Sequence, residues 1–420
     1  MKTLTAKIRE SYTQVPLLGW LIGALLAVIL EQFIGDMLAD ILGLPKIPVL
    51  FGFVLILKKP LLIPGAVAYV FLTYVLPIGV IARLSGSLVN KISAKLFNLS
   101  IVITVLAHLA VLYAILHLWS DISAYRVLTL KLTLIAIMLT LSLNVINGYM
   151  GEFSCSHPGF MALGAYAAST VTVILFVNDK LFGPAILPAA LGPFMFPIAL
   201  IVGGCTAALG ALAIAIPSFR TRGDYLAIIS LAFMFIVKSM IENLEVVGGP
   251  RGLSSQPDLA NLPTVFIWTV GCIWIVNNFV SSTMGKALNA VRDDEMAANC
   301  MTVNTRQTKI LAFLFAAFWA GVAGGLFAHV LRYVNPGTFG LQKLAEVLAM
   351  VYFGGLNSVY GSIVGAVSLS LLGEALRPLE ILKWIFIPLL LILVMIFRPT
   401  GLIAFKEFNI RNLVKPKQTE

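Results

Sequence analysis

One stretch decides the fold class: residues 127–166 read VLTLKLTLIAIMLTLSLNVINGYMGEFSCSHPGFMALGAY. The first 21 residues of this stretch form an almost uncharged apolar run, which is about the length needed to cross a bilayer as a helix. Gly148, Gly151, Pro158 and Gly159 then interrupt the run, and a second apolar segment begins. The stretch predicts two membrane-spanning helices joined by a break.

The composition of the whole chain agrees with this local pattern. Of the 420 residues, 59% are hydrophobic and 11% are charged, and the mean hydropathy is +0.97. An ordinary soluble domain has roughly 25% charged residues, so a soluble enzyme, a disordered regulator and a nucleic-acid-binding protein are excluded. We expect an all-α integral membrane protein, a polytopic helical bundle of about ten core spans and about two N-terminal spans. The predicted spans are 15–34, 60–82, 97–119, 127–147, 159–177, 198–216, 225–241, 264–280, 310–332, 344–356, 359–376 and 381–397.

The Lys and Arg residues predict how the chain is oriented and divided. With both termini in the cytoplasm, the inner segments hold about twice as many Lys and Arg residues as the outer ones, as the positive-inside rule requires. This pattern is typical of a multi-pass membrane protein. Residues 1–96 are interpreted as a membrane appendage with a basic linker at 83–96, residues 97–405 as the main domain and 406–420 as a cytoplasmic tail. The apolar run 47–57 is too short to cross and is interpreted as interfacial or re-entrant.

The residues that usually carry catalysis are missing from the sequence. It has no P-loop, HExxH or GxSxG motif, and its four cysteines show no metal-ligand spacing. We therefore expect that the chain is not an enzyme and has no cofactor or metal of its own. Glu31, Glu346 and Glu374 fall toward the predicted span ends, which disfavours an ion-coupled carrier. His108 lies near the middle of a span, and a helix–helix hydrogen bond is the simpler role for it.

The break in the quoted stretch is a candidate substrate path. Non-helical backbone at membrane depth is tolerated only where protein buries it or a wet cavity lines it, and transporters place binding sites at such breaks. An ordinary cytoplasmic turn remains the alternative. A similar turn at Asn357 and Ser358 suggests an inverted repeat. The candidate path residues are Asn144, Asn147, Ser154, Ser156, His157 and Phe160.

Three further segments carry informative patterns. The loop 281–309 is the longest polar stretch between spans and is predicted to form a helix, on which Arg292 and Glu295 could pair at i,i+3 spacing. The Gly/Pro-rich outer loop 248–257 could meet a partner or serve only as a connector. Small residues at helix–helix spacing predict close packing of helix backbones. They are Gly321, Gly324, Gly325, Gly354, Gly355, Gly361 and Gly365.

Together these motifs resemble the LivM-type permease subunits of branched-chain amino-acid ABC importers. The family pattern LN-x-x-x-G-Y-x-G-x-x-S is similar to Leu143–Ser154, and R-x-R-G-D-Y-L-A-I is similar to Arg220–Ile228. Its G-G-P-x-G-L matches Gly248–Leu253, and its F-R-P-x-G-L matches Phe397–Leu402. Two departures are Ser156, where the family has Gly, and Thr302, where Gly commonly follows the acidic helix; Pro158 directly follows the family His.

The resemblance implies a transport subunit of the bacterial cytoplasmic (inner) membrane, and it also implies partners and residue roles. The partners would be an H-type permease subunit, two ABC ATPase subunits that carry ATP and Mg, a periplasmic or extracellular substrate-binding protein and the lipid membrane, with no nucleic acid. A urea or short-amide permease of the same family and an ATP-independent secondary carrier remain alternatives. The candidate ATPase coupling residues are Gly285, Lys286, Arg292, Asp293, Asp294, Glu295 and Ala297. The candidate docking residues for the binding protein are Gly248, Gly249, Pro250 and Arg251.

Overall fold

The structure, a computed structural model, describes residues 15–44, 59–178, 183–219, 225–377, 382–398 and 400–416. Within these ranges, nine helices are long and apolar enough to cross a membrane. The prediction of an all-α membrane protein is confirmed. The apolar run 47–57 and the motif residues 220–224 lie outside the described residues.

The helices are numbered here in chain order, and two short strands accompany them. The helices are α1 (Leu17–Ile41), α2 (Pro60–Leu99), α3 (Ile101–Asp121), α4 (Ala124–Met150), α5 (His157–Phe176), α6 (Ala189–Ser218), α7 (Tyr225–Asn243), α8 (Leu262–Ser281), α9 (Thr283–Asp293), α10 (Glu295–Cys300), α11 (Thr305–Leu331), α12 (Leu341–Gly354), α13 (Val359–Ala375), α14 (Lys383–Phe397) and α15 (Ile410–Val414). Strand β1 (Leu253–Ser254) pairs antiparallel with β2 (Tyr333–Val334).

The described residues form two compact units. The first contains the residues up to Leu130, those of Leu372–Lys383 and those from Asn409 onward. In it α1 packs against α2 and α3. Helix α2 is continuous over 40 residues, so residues 83–96, interpreted as a linker from their charge, are helical. Many of the large apolar side chains of α2 and α3 are exposed, as expected for helices that face lipid.

A buried ion pair holds the first unit together. Glu31 is fully buried, and its two carboxylate oxygens lie 2.9 and 3.1 Å from the guanidinium nitrogens of Arg126. The hydroxyls of Tyr69 and Tyr74 donate to the same carboxylate. The prediction that Glu31 lies toward a span end is wrong, because α1 continues to Ile41 and places Glu31 well inside the helix.

In the second unit, small residues bring α5, α6 and α11 into backbone contact. A Cβ atom at Gly164 would overlap the carbonyl of Gly321, and one at Gly324 would overlap the carbonyl of Met161. Between α12 and α13, a Cβ at Gly354 would overlap the carbonyl of Gly361. The predicted close packing is confirmed at these sites. Without a hydrophobic force between helices in lipid, such contacts hold the bundle together.

Two buried histidines have structural partners in the described residues. His329 on α11 lies 2.8 Å from the hydroxyl of Thr172 on α5 and 2.7 Å from the carbonyl of Gly325. Both of its ring nitrogens are therefore engaged, and it joins two helices. His108 in α3 places Nδ1 2.7 Å from the carbonyl of Thr104 in its own helix.

We expect Glu31→Gln to destabilise the first unit, because it leaves the buried guanidinium of Arg126 without a counter-charge. Removing one partner of a buried ion pair costs about 3–5 kcal/mol. The thermal unfolding midpoint of the purified protein in detergent should fall. The control Glu242→Gln breaks the more exposed Lys238–Glu242 pair and should change the midpoint little. Equal midpoints for both variants would contradict a stabilising role for Glu31.

We also expect Gly164→Ala to destabilise the second unit, because its methyl group would overlap the backbone of Gly321. Overpacking of this kind costs about 1–3 kcal/mol. The matched control is Gly271→Ala in α8, where a Cβ would have no atom within 4 Å. Thermal unfolding in detergent should show a lower midpoint only for Gly164→Ala, and a fall in both variants would argue against the close contact.

Candidate functional site

Helix α4 ends in an irregular turn and is followed by a break of six residues, 151–156. Residues Val145–Met150 are π-helical, and Gly151 adopts a left-handed conformation with φ +76° that ends the helix. Helix α5 begins at His157, with Pro158 in its first turn. The N–H of Glu152 still donates to the carbonyl of Ile146, and the carbonyl of Ser156 accepts from Phe160, but the buried residues between them need other partners.

Side chains supply the hydrogen bonds that the break lacks. The Oδ1 atom of Asn147 accepts from the backbone N–H of Ser154 at 3.2 Å. The hydroxyl of Ser230 accepts from the N–H of Cys155 at 2.9 Å. The hydroxyls of Ser154 and Ser156 lie 2.9 Å apart and are fully buried. These bonds fix the buried residues Ser154, Cys155 and Ser156, whereas Gly151 and Phe153 are exposed.

Asn144 joins this break to a second one, between α12 and α13. Its Oδ1 atom accepts from the N–H of Asn357 at 3.1 Å, and its Nδ2 atom donates to the carbonyl of Ser358 and the hydroxyl of Ser362 at 3.0 and 2.6 Å. A Cβ at Gly148 would lie 2.6 Å from the nitrogen of Asn357, so a larger residue would separate the two breaks. Asn144 therefore has a structural role here.

The segment 400–408 runs along the second break. The N–H groups of Leu402 and Ile403 donate to the carbonyls of Phe353 and Gly354 at 3.0 and 2.9 Å. The hydroxyl of Ser358 donates to the carbonyl of Lys406 at 3.2 Å. This pairing satisfies backbone groups that α12 leaves free at its C-terminal end.

The remaining candidate path residues are a packed aromatic residue, Phe160, and two residues with polar atoms that are unpaired in the described part of the chain, Asn147 and His157. Phe160 is fully buried and packs against Phe233 and Phe313, with ring centroids 5.5 Å away in each case, so it is a core residue. The Nδ2 atom of Asn147 and both ring nitrogens of His157 are buried without a hydrogen-bond partner among the described residues. The hydroxyl of Tyr352 and the backbone of Ser142 are polar neighbours of these two residues.

The loop predicted as a single exposed helix forms two short helices, α9 and α10. Ser282 caps α9, and Asp294 lies between the helices and caps α10 by accepting from the N–H groups of Met296 and Ala297 at 2.9 and 3.0 Å. Gly285 is buried, since a Cβ there would overlap the carbonyl of Val280. Lys286, Asp293, Glu295 and Ala297 are among the exposed residues of the pair.

Arg292 points toward the break rather than toward solvent. Its Nη1 atom donates to the carbonyl of Gly148 at 3.4 Å, and its side chain lies against Gly151, where a Cβ would overlap it. Its guanidinium pairs with Asp293 at 2.8 Å and lies 5.6 Å from the ring of Phe405. The predicted pairing of Arg292 with Glu295 is wrong, because the kink at Asp294 separates the two residues.

Lys309, which the sequence reasoning did not single out, is the partner of Glu295. Its Nζ atom lies 2.9 Å from Glu295 Oε2 and 2.7 Å from Glu152 Oε1. Glu152 belongs to the break after α4. The only sequence signal for these contacts was a Lys close to the start of an apolar helix. Such a Lys is equally typical of the boundary of a membrane span.

The candidate docking loop lies beside β2, the strand that follows the C-terminal end of α11. Gly248, Gly249 and Gly252 all have positive φ values, of +89°, +51° and +79°, and shape the turn before β1. Pro250 and Arg251 are exposed, and the hydroxyl of Tyr333 donates to the carbonyl of Arg251 at 2.7 Å. A polar depression of about 520 Å³ lies beside this loop. Its lining residues are Tyr333, Asn335, Gly337, Thr338, Gln342, Lys343 and Glu346.

Known proteins match the part of the chain that contains this site. Residues 125–396 match the family described as branched-chain amino acid transport system, permease component. The high-affinity branched-chain amino acid transport system permease protein LivM of Escherichia coli (strain K12) is 31% identical over 307 residues, which cover 65% of this chain and 68% of that protein. LivM of Salmonella typhimurium is 30% identical over the same shares.

A third relative matches a shorter part of the chain. The permease protein BraD of Pseudomonas aeruginosa, also of a high-affinity branched-chain amino acid transport system, is 29% identical over 152 residues, 34% of this chain and 47% of that protein. No solved structure matches the chain. The nine long apolar helices among the described residues and these relatives identify a multi-pass protein of the bacterial inner membrane. The chain belongs to the family of permease components of branched-chain amino acid transport systems, in agreement with its LivM-type motifs.

Proposed function

We propose that this chain is one of the two membrane subunits of an ATP-driven importer for branched-chain or related hydrophobic amino acids. It forms the translocation path with a second, H-type permease. Two ATPase subunits bind and hydrolyse ATP with Mg, and a substrate-binding protein delivers the amino acid. The observation that carries this proposal is the direct attachment of the α9–α10 helix pair to the break after α4.

The length of α11 supports this arrangement of partners. Its 27 residues span about 40 Å at 1.5 Å per residue, which exceeds the roughly 30 Å hydrocarbon layer. The α9–α10 pair precedes α11, and the loop of Gly248–Arg251 lies beside β2 at its far end. The two candidate docking surfaces therefore face opposite sides of the membrane. The basic residues of segment 281–309 favour a cytoplasmic position for α9–α10. The distribution of Lys and Arg over the other segments favours a cytoplasmic position for both termini.

The exposed face of α10 fits the ATPase contact best. Met296 and Met301 are 67% and 76% exposed, and Met adapts well to a partner's groove. The side chains of Arg292 and Asp294 already have partners within the chain: Arg292 contacts the break, and the exposed Asp294 caps α10. The charges of Lys286 and Asp293 would then lie at the rim of the contact.

Asn147 and His157 are the best-placed path residues among the six candidates. Asn147 Nδ2 and both ring nitrogens of His157 are buried and lack a hydrogen-bond partner in the described residues, and a buried unpaired polar group is costly. The ammonium or carboxylate group of a passing amino acid, or water that accompanies it, would satisfy them. The other four candidates already bond or pack within the fold.

An ion-coupled carrier finds little support among the described carboxylates. The fully buried Glu31 is neutralised by Arg126, and Glu374 bonds to the hydroxyl of Tyr125 and pairs with Arg377. A carrier would need a carboxylate that can exchange its cation.

The first test is reconstitution of the chain with its second permease, ATPases and binding protein in proteoliposomes. We expect uptake of radiolabelled leucine only when ATP and Mg²⁺ are present on the ATPase side. Unlabelled leucine should compete, and urea and aromatic amino acids should compete weakly. Strong competition by urea would identify a short-amide permease instead, and uptake without ATP would identify a secondary carrier.

A second test concerns the proposed ATPase contact at Met296 and Met301. We expect Met296→Asp and Met301→Asp to reduce copurification of the ATPase subunits about tenfold or more, since each tenfold loss of affinity corresponds to about 1.4 kcal/mol. The control Ile186→Asp changes an apolar side chain that is 66% exposed in the loop after α5, away from this face. Normal ATPase binding by both Met variants would exclude α10 as the contact.

A further inference from the structure

Lys309 connects three segments of the second unit through one ammonium group. It lies in the first turns of α11 and is only 8% exposed. Its Nζ atom contacts Glu152 in the break after α4 at 2.7 Å and Glu295, the first residue of α10, at 2.9 Å. Because Glu152 and Glu295 share no other bond, Lys309 is the link between them.

The burial of the Lys309 ammonium distinguishes this contact from the exposed Lys238–Glu242 pair. The side chain of Lys309 is 10% exposed, whereas Lys238 and Glu242 are 31% and 37% exposed. Glu152 and Glu295 are 28% and 50% exposed, so the cost of separation falls on Lys309, whose largely desolvated ammonium would lose its partners. Lys309 therefore depends on both carboxylates, and its contacts keep α10 beside the break.

A second contact makes the attachment rigid. Arg292, at the end of α9, contacts the carbonyl of Gly148 and covers Gly151. The helix pair is thus attached at two points. Arg292 of α9 contacts Gly148 at the end of α4. Glu295 of α10 is joined through Lys309 of α11 to Glu152 in the break. A displacement of α9–α10 would move the break with it rather than bend a loose linker.

We propose that Lys309 is a positioning residue that transmits the movement of the α9–α10 pair to the break after α4 through Glu295 and Glu152. This inference rests on the proposed function, since it takes the ATPase subunits as the source of the movement. Lys309 touches neither ATP nor the amino acid. Its loss separates ATP hydrolysis from transport and leaves the assembly of the subunits intact.

The experiment uses the complete transporter in proteoliposomes and measures leucine uptake and ATP hydrolysis in the same sample. The variants are Lys309→Met, Glu152→Gln and Glu295→Gln, with Lys309→Arg as the conservative change. We expect the leucine taken up per ATP hydrolysed to fall about tenfold in Lys309→Met, which is within the usual range of coupling between sites. Each Gln variant should show a smaller fall, and Lys309→Arg should keep most of the wild-type ratio.

A charge exchange makes the test independent of folding. The double variant Lys309→Glu with Glu152→Lys restores one ion pair and should recover part of the ratio that Lys309→Glu alone loses. Lys238→Met, which removes an equally charged side chain from the exposed pair on α7, should leave the ratio unchanged.

The outcomes separate this inference from the proposed function. If the wild-type transporter takes up leucine without ATP, both fall. If wild-type uptake depends on ATP but the Glu152→Gln and Lys309→Met variants keep the wild-type ratio of uptake to hydrolysis, the role of Lys309 is excluded and the proposed function stands. A parallel loss of hydrolysis and uptake in Lys309→Met, without rescue by the charge exchange, would show a purely structural role.

Discussion

Backbone N–H and C=O groups in a hydrocarbon layer have no water to bond to, and this constraint governs the second unit. A continuous helix satisfies its own backbone, but the breaks after α4 and after α12 do not. Asn144 bonds to the backbone of the second break, and segment 400–408 pairs with residues beside it. Because Asn144 supplies hydrogen bonds to the second break from the helix that precedes the first, the two breaks are held next to each other.

The same constraint explains why small residues are concentrated in α5, α6 and α11. Lipid is as apolar as a Leu side chain, so helices associate through close packing instead of the hydrophobic effect. Gly164, Gly321 and Gly324 allow backbones to touch, which makes these helices a stiff core. A stiff core allows a movement at one end to shift a break as a unit.

The end of the second unit that carries the breaks also carries the charge contacts of Arg292 and Lys309. Both side chains contact the break, while Met296 and Met301 are exposed. The α9–α10 pair is therefore attached to the break on one side, and its exposed side presents the two methionines together with the charges of Lys286 and Asp293.

Sequence reasoning succeeded where a pattern is local. The spans predicted at 225–241 and 264–280 match α7 and α8 within two residues at each end, because apolar runs bounded by polar residues report directly on membrane crossing. It failed where local signals compete. The basic residues at 83–96 suggested a linker, but helical periodicity continues through them in α2. The i,i+3 spacing of Arg292 and Glu295 suggested a pair, but Asp294 caps a new helix between them.

The membrane class, the family and the small-residue contacts follow from the sequence alone, because each depends on neighbouring residues or on motifs read in order. The roles of the polar residues at the break do not. Asn144 and Ser362 are 218 residues apart, and Lys309 and Glu152 are 157 apart. A hydrogen bond requires its two atoms to lie within about 3 Å, and only the packing of distant helices decides which polar groups meet. Tertiary structure therefore assigns Asn144 to the fold, leaves Asn147 Nδ2 and the ring nitrogens of His157 without a hydrogen-bond partner among the described residues, and brings Lys309 into contact with both Glu295 of the helix pair and Glu152 of the break.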